Sequence, residues 1–541
     1  MKDISSTGSF IDFTLENFIY VDKTEYIPKI VKLKRVFISR PRRFGKSLTL
    51  DTIATLFETG VEPYFKGTWI YDKWTEPTYP VLRLNFLNFD KNSLEKFNNK
   101  LNSKITEFAE LNHVTTFKEK EEAEDSIDHL LEQLRLENRQ IVILIDEYDC
   151  QMTANINNET LYKQFQEKIK SFYANIKDKF AIKFLGITGV TRLKDVSIFS
   201  VGSDINDITN ASAYSQMIGF TRDEIKKYYI DYLKLASSYE NNCSVGDVTD
   251  TQLESMLDMM AQNYDGYCFD EDYEKKVFST WSVNKFFQTM IEKKKVQFGE
   301  YWYDNGGLPS ILVNYLKTHE LNIFEYLDKD KFLKVSSDDF KNPTALTTIN
   351  QNVLMCQTGY LTLRSDLNKT STVALGIPNG EIYKALNRLL ANNIFKGNTD
   401  ITDDYGRSLL EVGTVDDIIN LFNSALNSVS YDNYPIVSES SVQNMLKLYL
   451  LGAHQEVLSE VHEAKGRADL VVNTDNRRIV FEFKYAKNEA EAKSKLSEAV
   501  EQIKTRDYGN ILPKKNELIR IAAVFNADPK VRAFTENQIV P

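Results

Sequence analysis

The sequence has few of the features that mark disulfide-stabilised, zinc-binding or membrane-spanning proteins. Its 541 residues contain four cysteines, which lie far apart and form no CxxC pair; this argues against a disulfide framework or a zinc site. No stretch approaches 18 consecutive apolar residues, and the start, MKDISSTGSF, lacks the basic and apolar segments of a signal peptide. We therefore expect a cytoplasmic protein in a reducing compartment, with no membrane partner.

An excess of basic charge is also absent, because the formal net charge is −11. That balance excludes a protein that coats nucleic acid nonspecifically, but it does not exclude a local basic groove. Apolar residues make up 42% of the chain and aromatic residues 12%, enough for each domain to bury a core. The length predicts about three domains.

The first part of the chain alternates short apolar runs with amphipathic stretches, as βα units do. The candidate strands are Arg35–Ser39, Pro80–Phe86, Ile141–Ile145 and Ala181–Thr188, with a fifth short run at Met217–Phe220. Nearly continuous apolar strands are typical of a parallel sheet covered by helices on both faces. Thr221 and Glu224 then have the spacing of a helix capping box, so we predict that an α/β sheet domain spans residues 1–221.

The remainder divides into two further predicted domains. Residues 222–402 form a mostly helical lid or linker, with helices at Ile225–Leu235 and Tyr383–Asn392. Residues 403–541 have an α-β-β-β-α-β order, which suits one α/β domain. Its elements are predicted at Ser438–Leu451, Val457–Val461, 466–472, 478–485, Glu489–Lys504 and 518–525.

The segment RPRRFGKSLT, residues 40–49, follows the first predicted strand and resembles the end of a phosphate-binding loop. Such a loop works because backbone N–H groups at a helix start point at one phosphate. Gly45 supplies backbone freedom, Lys46 can reach the β- and γ-phosphates, and Ser47 can ligate Mg²⁺. Arg40 replaces the opening glycine, which puts the loop shape in question more than the chemistry. The predicted nucleotide-binding segment also includes Arg43, Phe44 and Leu48.

The third predicted strand ends in Asp146-Glu147, within IVILIDEYD. A carboxylate at that position can hold Mg²⁺, and its neighbour can deprotonate the attacking water. At the polar end of the next strand, Thr188 or Thr191 is a candidate γ-phosphate sensor and Arg192 a candidate cation acting in cis or in trans. For Thr188 an ordinary strand-end hydrogen bond is as good an interpretation, and for Arg192 an ordinary surface position.

A second constellation lies in GRADLVVNTDNRRIVFEFK, residues 466–484. Glu482 and Lys484 face the same way on one predicted strand, and Asp469 lies on the preceding antiparallel strand. Two converging carboxylates can bind Mg²⁺ or Mn²⁺, and the lysine can position water or stabilise phosphorane-like charge. The alternative is a solvent-facing Glu/Lys alternation on an edge strand.

Flanking residues supply further candidates for this second site. Glu439 opens the preceding helix, and Gln502 lies one helix beyond Lys484. A local basic rim for phosphates is predicted from Lys493, Lys495, Lys504 and Arg506. A solvated helix face explains these cations equally well.

Motifs along nearly the whole chain resemble the AAA-ATPase-like proteins that carry a C-terminal PD-(D/E)XK nuclease-superfamily domain. The motifs are YVDKT, RPRRFGKSLTLDTIATLF, LIDEYD, FLGITGVT, YDGYCFD, TWSVNKFF, GGLPSIL, QTGYLTL and GRADLVV…FEFK. The resemblance implies a P-loop NTPase of the additional-strand (AAA/ASCE) type, in which arginine in place of the opening glycine is a family trait. It places Lys46, Ser47, Asp146 and Glu147 at the nucleotide site. It likewise places Asp469, Glu482 and Lys484 on a restriction-endonuclease-like nuclease core.

Together these observations favour an enzyme that hydrolyses ATP and cleaves nucleic acid with Mg²⁺, with Mn²⁺ as an alternative metal and DNA favoured over RNA. Nucleotide state is expected to gate cleavage. The alternative is a nucleotide-operated switch or scaffold whose nuclease-like domain binds nucleic acid or a partner without cutting. A homo-oligomer is required only if an arginine acts in trans.

Overall fold

The structure is a computed structural model that describes residues 1–176, 179–193, 204–304, 310–316, 319, 323–343, 345–395, 405–453, 455–463, 466–509 and 517–541. Its contacts group the chain into two compact units: unit 1 comprises residues 1–319 and 332–382, and unit 2 comprises residues 320–331 and 383–541. The predicted boundary at 221/222 stays a prediction, and the one at 402/403 lies outside the described residues. No helix of the described ranges is long and apolar enough to cross a membrane.

Unit 1 is built on a parallel five-stranded sheet whose strands are β1 (Arg35–Ser39), β2 (Val81–Asn85), β3 (Ile141–Asp146), β4 (Ile182–Gly189) and β5 (Asn206–Asp207). The strand order is β2-β3-β4-β1-β5. Every residue of β1 and β3 is buried, as expected for strands covered on both faces. Because β4 is inserted between β1 and β3, the sheet has the additional strand that the sequence resemblance implied.

Helices connect and cover these strands. They are Phe10–Leu15, Ile27–Lys32, Lys46–Thr59, Leu94–Leu111, Ala123–Leu136, Cys150–Ala154 and Glu159–Ile176. Three of the longer ones are strongly amphipathic, with buried apolar residues at helical spacing. The fifth strand was wrongly placed at 217–220, where Phe220 forms only an isolated bridge with Phe278.

The region after residue 221 is mainly helical, as predicted. Its helices are Arg222–Tyr228, Ile230–Asn241, Asp250–Tyr264, Thr280–Lys293, Tyr301–Asp304, Ser310–Leu316, Ser337–Lys341, Gln351–Gln357 and Gly380–Ile394. The capping box of Thr221 and Glu224 forms at the first of them. The sequence did not predict the small antiparallel sheet β6 (Leu333–Ser336), β8 (Thr372–Gly376) and β7 (Thr362–Leu363).

Unit 2 contains a five-stranded sheet in the order β13-β12-β11-β10-β9. The strands are β9 (Glu456–Glu463), β10 (Gly466–Asn473), β11 (Arg477–Ala486), β12 (Glu517–Asn526) and β13 (Ala533–Ile539). The helices are Tyr405–Val412, Val415–Asn427, Glu439–Gly452 and Glu489–Arg506. The predicted α-β-β-β-α-β order is therefore present, with β13 added, and the predicted fold class is confirmed for both ends of the chain.

Candidate functional site

The loop between β1 and helix Lys46–Thr59 has the backbone of a phosphate-binding turn. Gly45 caps the helix with a φ of 104°, and Arg43 also has a positive φ of 66°. A glycine suits the first of these angles because no side chain resists it. Phe44 is buried and packs edge-to-face on Tyr267, with ring centroids 4.7 Å apart. The aromatic contact anchors the loop while the helix start stays accessible.

Lys46 projects back over this loop. Its ammonium donates hydrogen bonds to the carbonyl oxygens of Arg40 and Pro41, each 3.1 Å away. The Oε1 atom of Glu147 lies 3.7 Å from Lys46 Nζ. The lysine side chain is only 4% exposed, so its ammonium is held against the loop by these contacts.

Asp146 joins the loop to the neighbouring strands. Ser47 Oγ donates to Asp146 Oδ2 over 2.6 Å, and Thr188 Oγ1 donates to the other carboxylate oxygen. Oxygen ligands at this spacing suit one hard divalent cation. Glu147 follows with a φ of 53°, and burial raises the pKa of its carboxyl, against the opposing effect of Lys46. A carboxylate with a raised pKa is suited to accept a proton from water.

A cavity of about 490 Å³ opens beside the loop. Arg43, Phe44, Gly45, Lys46, Ser47, Leu48 and Glu147 all line it, whereas Asp146, Thr188 and Arg192 do not. Trp281 forms another part of the wall, with the Arg43 guanidinium 4.2 Å above its ring. Thr280 Oγ1 also donates to the carbonyl of Arg43 over 2.9 Å. The sequence reasoning missed these contacts, although TWSVNKFF was among the motifs that carried the resemblance.

Arg192 is turned to a different neighbourhood. Its guanidinium pairs with Asp207 and donates to the carbonyl of Lys341. Thr191 is held by Asp149, which accepts from both its backbone N–H and its hydroxyl at 2.7 and 2.6 Å. Thr188 contacts the Asp146 carboxylate directly. Arg192, in contrast, does not line the cavity beside Lys46.

The second site forms where β10 and β11 pair. Leu470 pairs with Phe481 in an antiparallel register, which brings Asp469 and Glu482, the adjacent residues, side by side. Asp469 Oδ2 accepts the N–H of Phe483 at 2.8 Å. Glu482 is fully buried, so the sequence-level alternative of a solvent-facing Glu/Lys strand is not what the fold produces.

Lys484 connects the acidic groups. Its ammonium lies 2.8 Å from Glu482 Oε1 and 3.3 Å from Glu439 Oε1. Burial and the charge of Asp469 raise the pKa of Glu482 to about 7, while Lys484 acts in the opposite direction. Burial by itself would lower the pKa of Lys484. The hydrogen bond with Glu482 and the charges of the nearby carboxylates outweigh burial, so the pKa of Lys484 is raised. Glu439, Asp469, Glu482 and Lys484 thus form one electrostatic cluster.

Gln502 lies on helix Glu489–Arg506 and contacts Tyr508. Its Nε2 donates to the buried hydroxyl of Tyr508 at 3.3 Å, and Arg506 donates to the same oxygen at 2.8 Å. The pKa of Arg506 is raised, chiefly by its hydrogen bond with Tyr508 and to a smaller extent by the charges of Glu482 and Asp469. Lys493 and Lys495 pair with glutamates of their own helix. The sequence did not lead us to predict Tyr508 as a site residue. Its position six residues after Gln502 is the sequence feature that could have indicated it.

Both constellations suit divalent metal. Within the described ranges, no three side chains of His, Cys, Asp or Glu cluster as a self-contained metal site. Glu482 Oε2, however, is buried and has no hydrogen-bond partner among those residues. Because an unpaired buried carboxylate oxygen is costly, Asp469 and Glu482 fit a hard cation that draws its other ligands from water or phosphate.

Comparison with protein families gives two matches. Residues 5–199 match the AAA-ATPase-like family, described as predicted AAA-ATPase, and residues 437–535 match the PD-(D/E)XK nuclease superfamily. The two matches confirm the resemblance drawn from the sequence motifs. They contain the Lys46 and Asp146 site and the Asp469 and Glu482 site, respectively.

Relatives were also found among curated proteins and solved structures. An uncharacterized protein from the vnfD 5′ region of Azotobacter chroococcum mcd 1 is 25% identical over 533 residues, covering 95% of this chain and 94% of that protein. Cdc6p from Pyrobaculum aerophilum aligns with 68% of this chain and 93% of its own, at 11% identity and a TM-score of 0.23.

Proposed function

We propose that the protein is an ATP-hydrolysing, Mg²⁺-dependent nuclease that cleaves phosphodiester bonds, with DNA as its preferred substrate. The observation that carries the proposal is Glu482, a fully buried carboxyl on an apolar strand with one oxygen unpaired. A charged group in that position is destabilising. Lys484 pairs with only one of the two Glu482 oxygens, which leaves the other to bind a ligand and favours a chemical role.

At the nuclease site, Asp469 and Glu482 would hold the divalent cation, which supplies a Lewis acid and lowers the pKa of bound water. Lys484 Nζ lies within 3.3 Å of both Glu482 and Glu439, so the ammonium is positioned against the charge that develops on a cleaved phosphate. Its raised pKa keeps it protonated. Gln502 and Arg506, joined through Tyr508, orient the phosphate of the next nucleotide.

At the nucleotide site, Lys46 neutralises the β- and γ-phosphates, and the N–H groups at the start of helix Lys46–Thr59 bind their oxygens. Ser47 and Asp146 would hold Mg²⁺, which would supply positive charge to the phosphate oxygens. Glu147 accepts a proton from the attacking water, and its raised pKa brings its basicity closer to that task. We further propose that the nucleotide state of this site gates cleavage at Glu482.

Cleavage of labelled single- and double-stranded DNA and RNA tests the nuclease. We expect cutting with Mg²⁺ by the wild-type chain and a loss of at least about 100-fold in Glu482→Gln, because the metal-binding carboxylate is gone. Glu501→Gln removes an exposed carboxylate on helix Glu489–Arg506 and is the matched control. If the wild-type chain binds DNA but does not cut it, the nuclease proposal is wrong and the alternative, a nucleotide-operated switch, takes its place.

ATP hydrolysis and its coupling are tested with Lys46→Ala. We expect this variant to lose ATP hydrolysis, whereas Lys100→Ala, at an exposed lysine of unit 1, keeps it. If nucleotide gates cleavage, Lys46→Ala also loses ATP-stimulated cutting, while Glu482→Gln still hydrolyses ATP. Cutting by Lys46→Ala at the wild-type rate with and without ATP would contradict gating and leave the nuclease intact.

A further inference from the structure

A second cavity, of about 780 Å³, opens at the amino-terminal edge of the parallel sheet of unit 1. Its wall includes Arg35 and Ile182, which begin β1 and β4, and Gln140, which precedes β3. The loop that carries Lys46 follows the opposite end of β1. Five strand residues span roughly 16 Å, so the cavity is separate from the nucleotide site.

Cations dominate this wall. Those lining it are Lys32, Lys34, Arg35, Lys73, Lys179 and Lys183, which together we call the basic groove. Among the described residues, Glu76 is the one carboxylate that lines it, and it pairs with Lys183 at 2.6 Å. Asp204 pairs with Arg35 and Asp128 with Lys179.

Three of the six cations lie at the surface and are not neutralised by an ion pair. Lys32, Lys34 and Lys73 are exposed and have no ion-pair partner among the described residues. Lys73 instead lies over the ring of Trp69, 4.4 Å from its centroid. In a chain of net charge −11, this local positive surplus points to an anionic ligand.

Two residues that line this groove carry buried N–H donors without acceptors. Arg35 is 8% exposed, and its terminal nitrogens bond to Asp204 and to the carbonyl of Lys179. Its Nε has no acceptor in the described part of the chain, nor has the buried Nε1 of Trp74, which lines the same cavity. Unmet buried N–H groups are costly, so this wall carries a polar cost within the fold.

An exposed aromatic ring lies among the cations. Phe180 is 61% exposed, and its carbonyl accepts the Gln140 side chain at 2.8 Å. Cations that follow a backbone, combined with a ring on which a base can stack, are the features of single-strand binding grooves. We propose that the basic groove binds the phosphates of a single-stranded polynucleotide, with Phe180 stacked on a base. Unit 1 would then hold nucleic acid itself, apart from the nuclease residues of unit 2.

The test compares two triple charge reversals in the full-length chain. Lys32→Glu, Lys34→Glu and Lys73→Glu change the groove, and Lys293→Glu, Lys294→Glu and Lys295→Glu are the control. Both sets reverse three exposed lysines of unit 1 and include one lysine with a positive φ, Lys34 at 63° and Lys294 at 51°. The probe is a fluorescent single-stranded DNA 20-mer, followed by anisotropy across a salt series with EDTA present. Thermal unfolding checks that both variants fold.

We expect the groove variant to bind at least about tenfold more weakly and to lose about 2 from the slope of log K against log salt, since each single-strand phosphate contact contributes about 0.7. The control should match the wild type. Phe180→Ala should weaken binding at least about fivefold without changing the slope. Because EDTA prevents metal-dependent cleavage, the result is independent of whether the protein is a nuclease.

Three outcomes would overturn the proposal. The first is a wild-type chain that does not bind the 20-mer. The second is equal weakening in the groove and control variants, which would indicate a general charge effect. The third is displacement of the 20-mer by millimolar inorganic phosphate at constant ionic strength, which would assign the groove to a free phosphate instead.

Discussion

Arg40 stands where phosphate-binding loops usually begin with glycine, and its side chain explains the substitution. It is 1% exposed, and its Nη1 donates to the carbonyls of Ser39 and Thr209 at 2.9 and 2.6 Å. Its guanidinium lies 4.2 Å from the centroid of the Phe269 ring. Burial lowers its pKa to about 9, so the cation is kept at some cost. Arg40 fixes the end of β1 to segments that a glycine could not reach.

We therefore expect Arg40→Gly, which restores the common loop pattern, to destabilise the folded state. Loss of two hydrogen bonds and of the Phe269 contact should reduce the free energy of unfolding by about 1–3 kcal/mol. ATP affinity should fall with it. Urea unfolding and ATP titration measure both, and Arg42→Gly, at a partly exposed neighbour, is the stability control. Tighter ATP binding in Arg40→Gly would show that the arginine hinders the loop.

Glu381 is a buried acid for which the proposed chemistry has no use. It is 2% exposed and accepts hydrogen bonds from Ser282 Oγ at 2.7 Å and from the N–H of Trp302 at 2.8 Å. Burial raises its pKa from 4.5 to about 8, against the effect of these hydrogen bonds. The folded protein therefore retains a proton that the unfolded chain releases at lower pH.

This proton makes stability depend on pH. Between pH 4.5 and about 8, the folded state binds more protons, so the free energy of unfolding falls as pH rises, by at most about 1.4 kcal/mol per pH unit. Glu381→Gln removes the titration while its amide can still bond to Ser282 and Trp302. We expect the variant to gain stability over the wild type from pH 5 to pH 9. A difference in melting temperature that does not change with pH would contradict this assignment.

At the scale of elements, the four long strands of unit 1 were predictable because each is a nearly continuous apolar run. Their bounds agree with prediction within one residue at each end. Strand β5 is only Asn206–Asp207, two polar residues, so hydrophobic pattern cannot find it. The same limit applies to the small sheet of β6, β7 and β8, whose strands are only two to five residues long.

The residues of the candidate sites likewise divide into those that the sequence could place and those that it could not. Lys46, Ser47 and Asp146 converge because they follow strands that end at one edge of a parallel sheet, which the sequence order implies. Asp469 and Glu482 converge because a short turn joins their strands. Arg192 could not be placed in this way, since its partners Asp207 and Lys341 lie in segments whose positions depend on tertiary packing.

The end of β4 carries a close approach that only glycine permits. A Cβ added to Gly189 would lie 2.4 Å from Tyr148 Cδ1 and 2.8 Å from Asp149 Oδ1. Gly189 also accepts the backbone N–H of Arg40 at 3.2 Å. Bulk at this point would push Tyr148 and Asp149, and with them the end of the strand that carries Asp146, away from β4.

We expect Gly189→Ala to reduce the free energy of unfolding by about 1–3 kcal/mol, the usual cost of overpacking a core. ATP binding should weaken as well, because the displaced groups adjoin Asp146. Gly246→Ala, where the nearest atom to an added Cβ is 4.0 Å away, should change stability by less than about 1 kcal/mol. Denaturant unfolding of the two variants makes the comparison; equal stabilities would mean that the strand end adjusts freely.

At the scale of the whole molecule, each unit has its own apolar core. In unit 1 one such cluster includes Tyr229, Met256 and Phe286, all at most 2% exposed. In unit 2 a cluster includes Val480 and Ile503, both fully buried. Because separate cores can lose their structure separately, ligand binding in one unit need not stabilise the other.

We therefore expect two calorimetric unfolding transitions. ATP with Mg²⁺ at about 100 times its dissociation constant should stabilise one of them by about 2.7 kcal/mol, and Lys46→Ala should abolish that shift. Ile503→Ala, which opens a cavity in the core of unit 2, should lower the other transition by about 2–5 kcal/mol. A single transition that responds to both changes would mean that the units unfold as one. With two transitions, ATP binding does not stabilise unit 2 against unfolding, so gating of the Glu482 site must act through a change in the folded state.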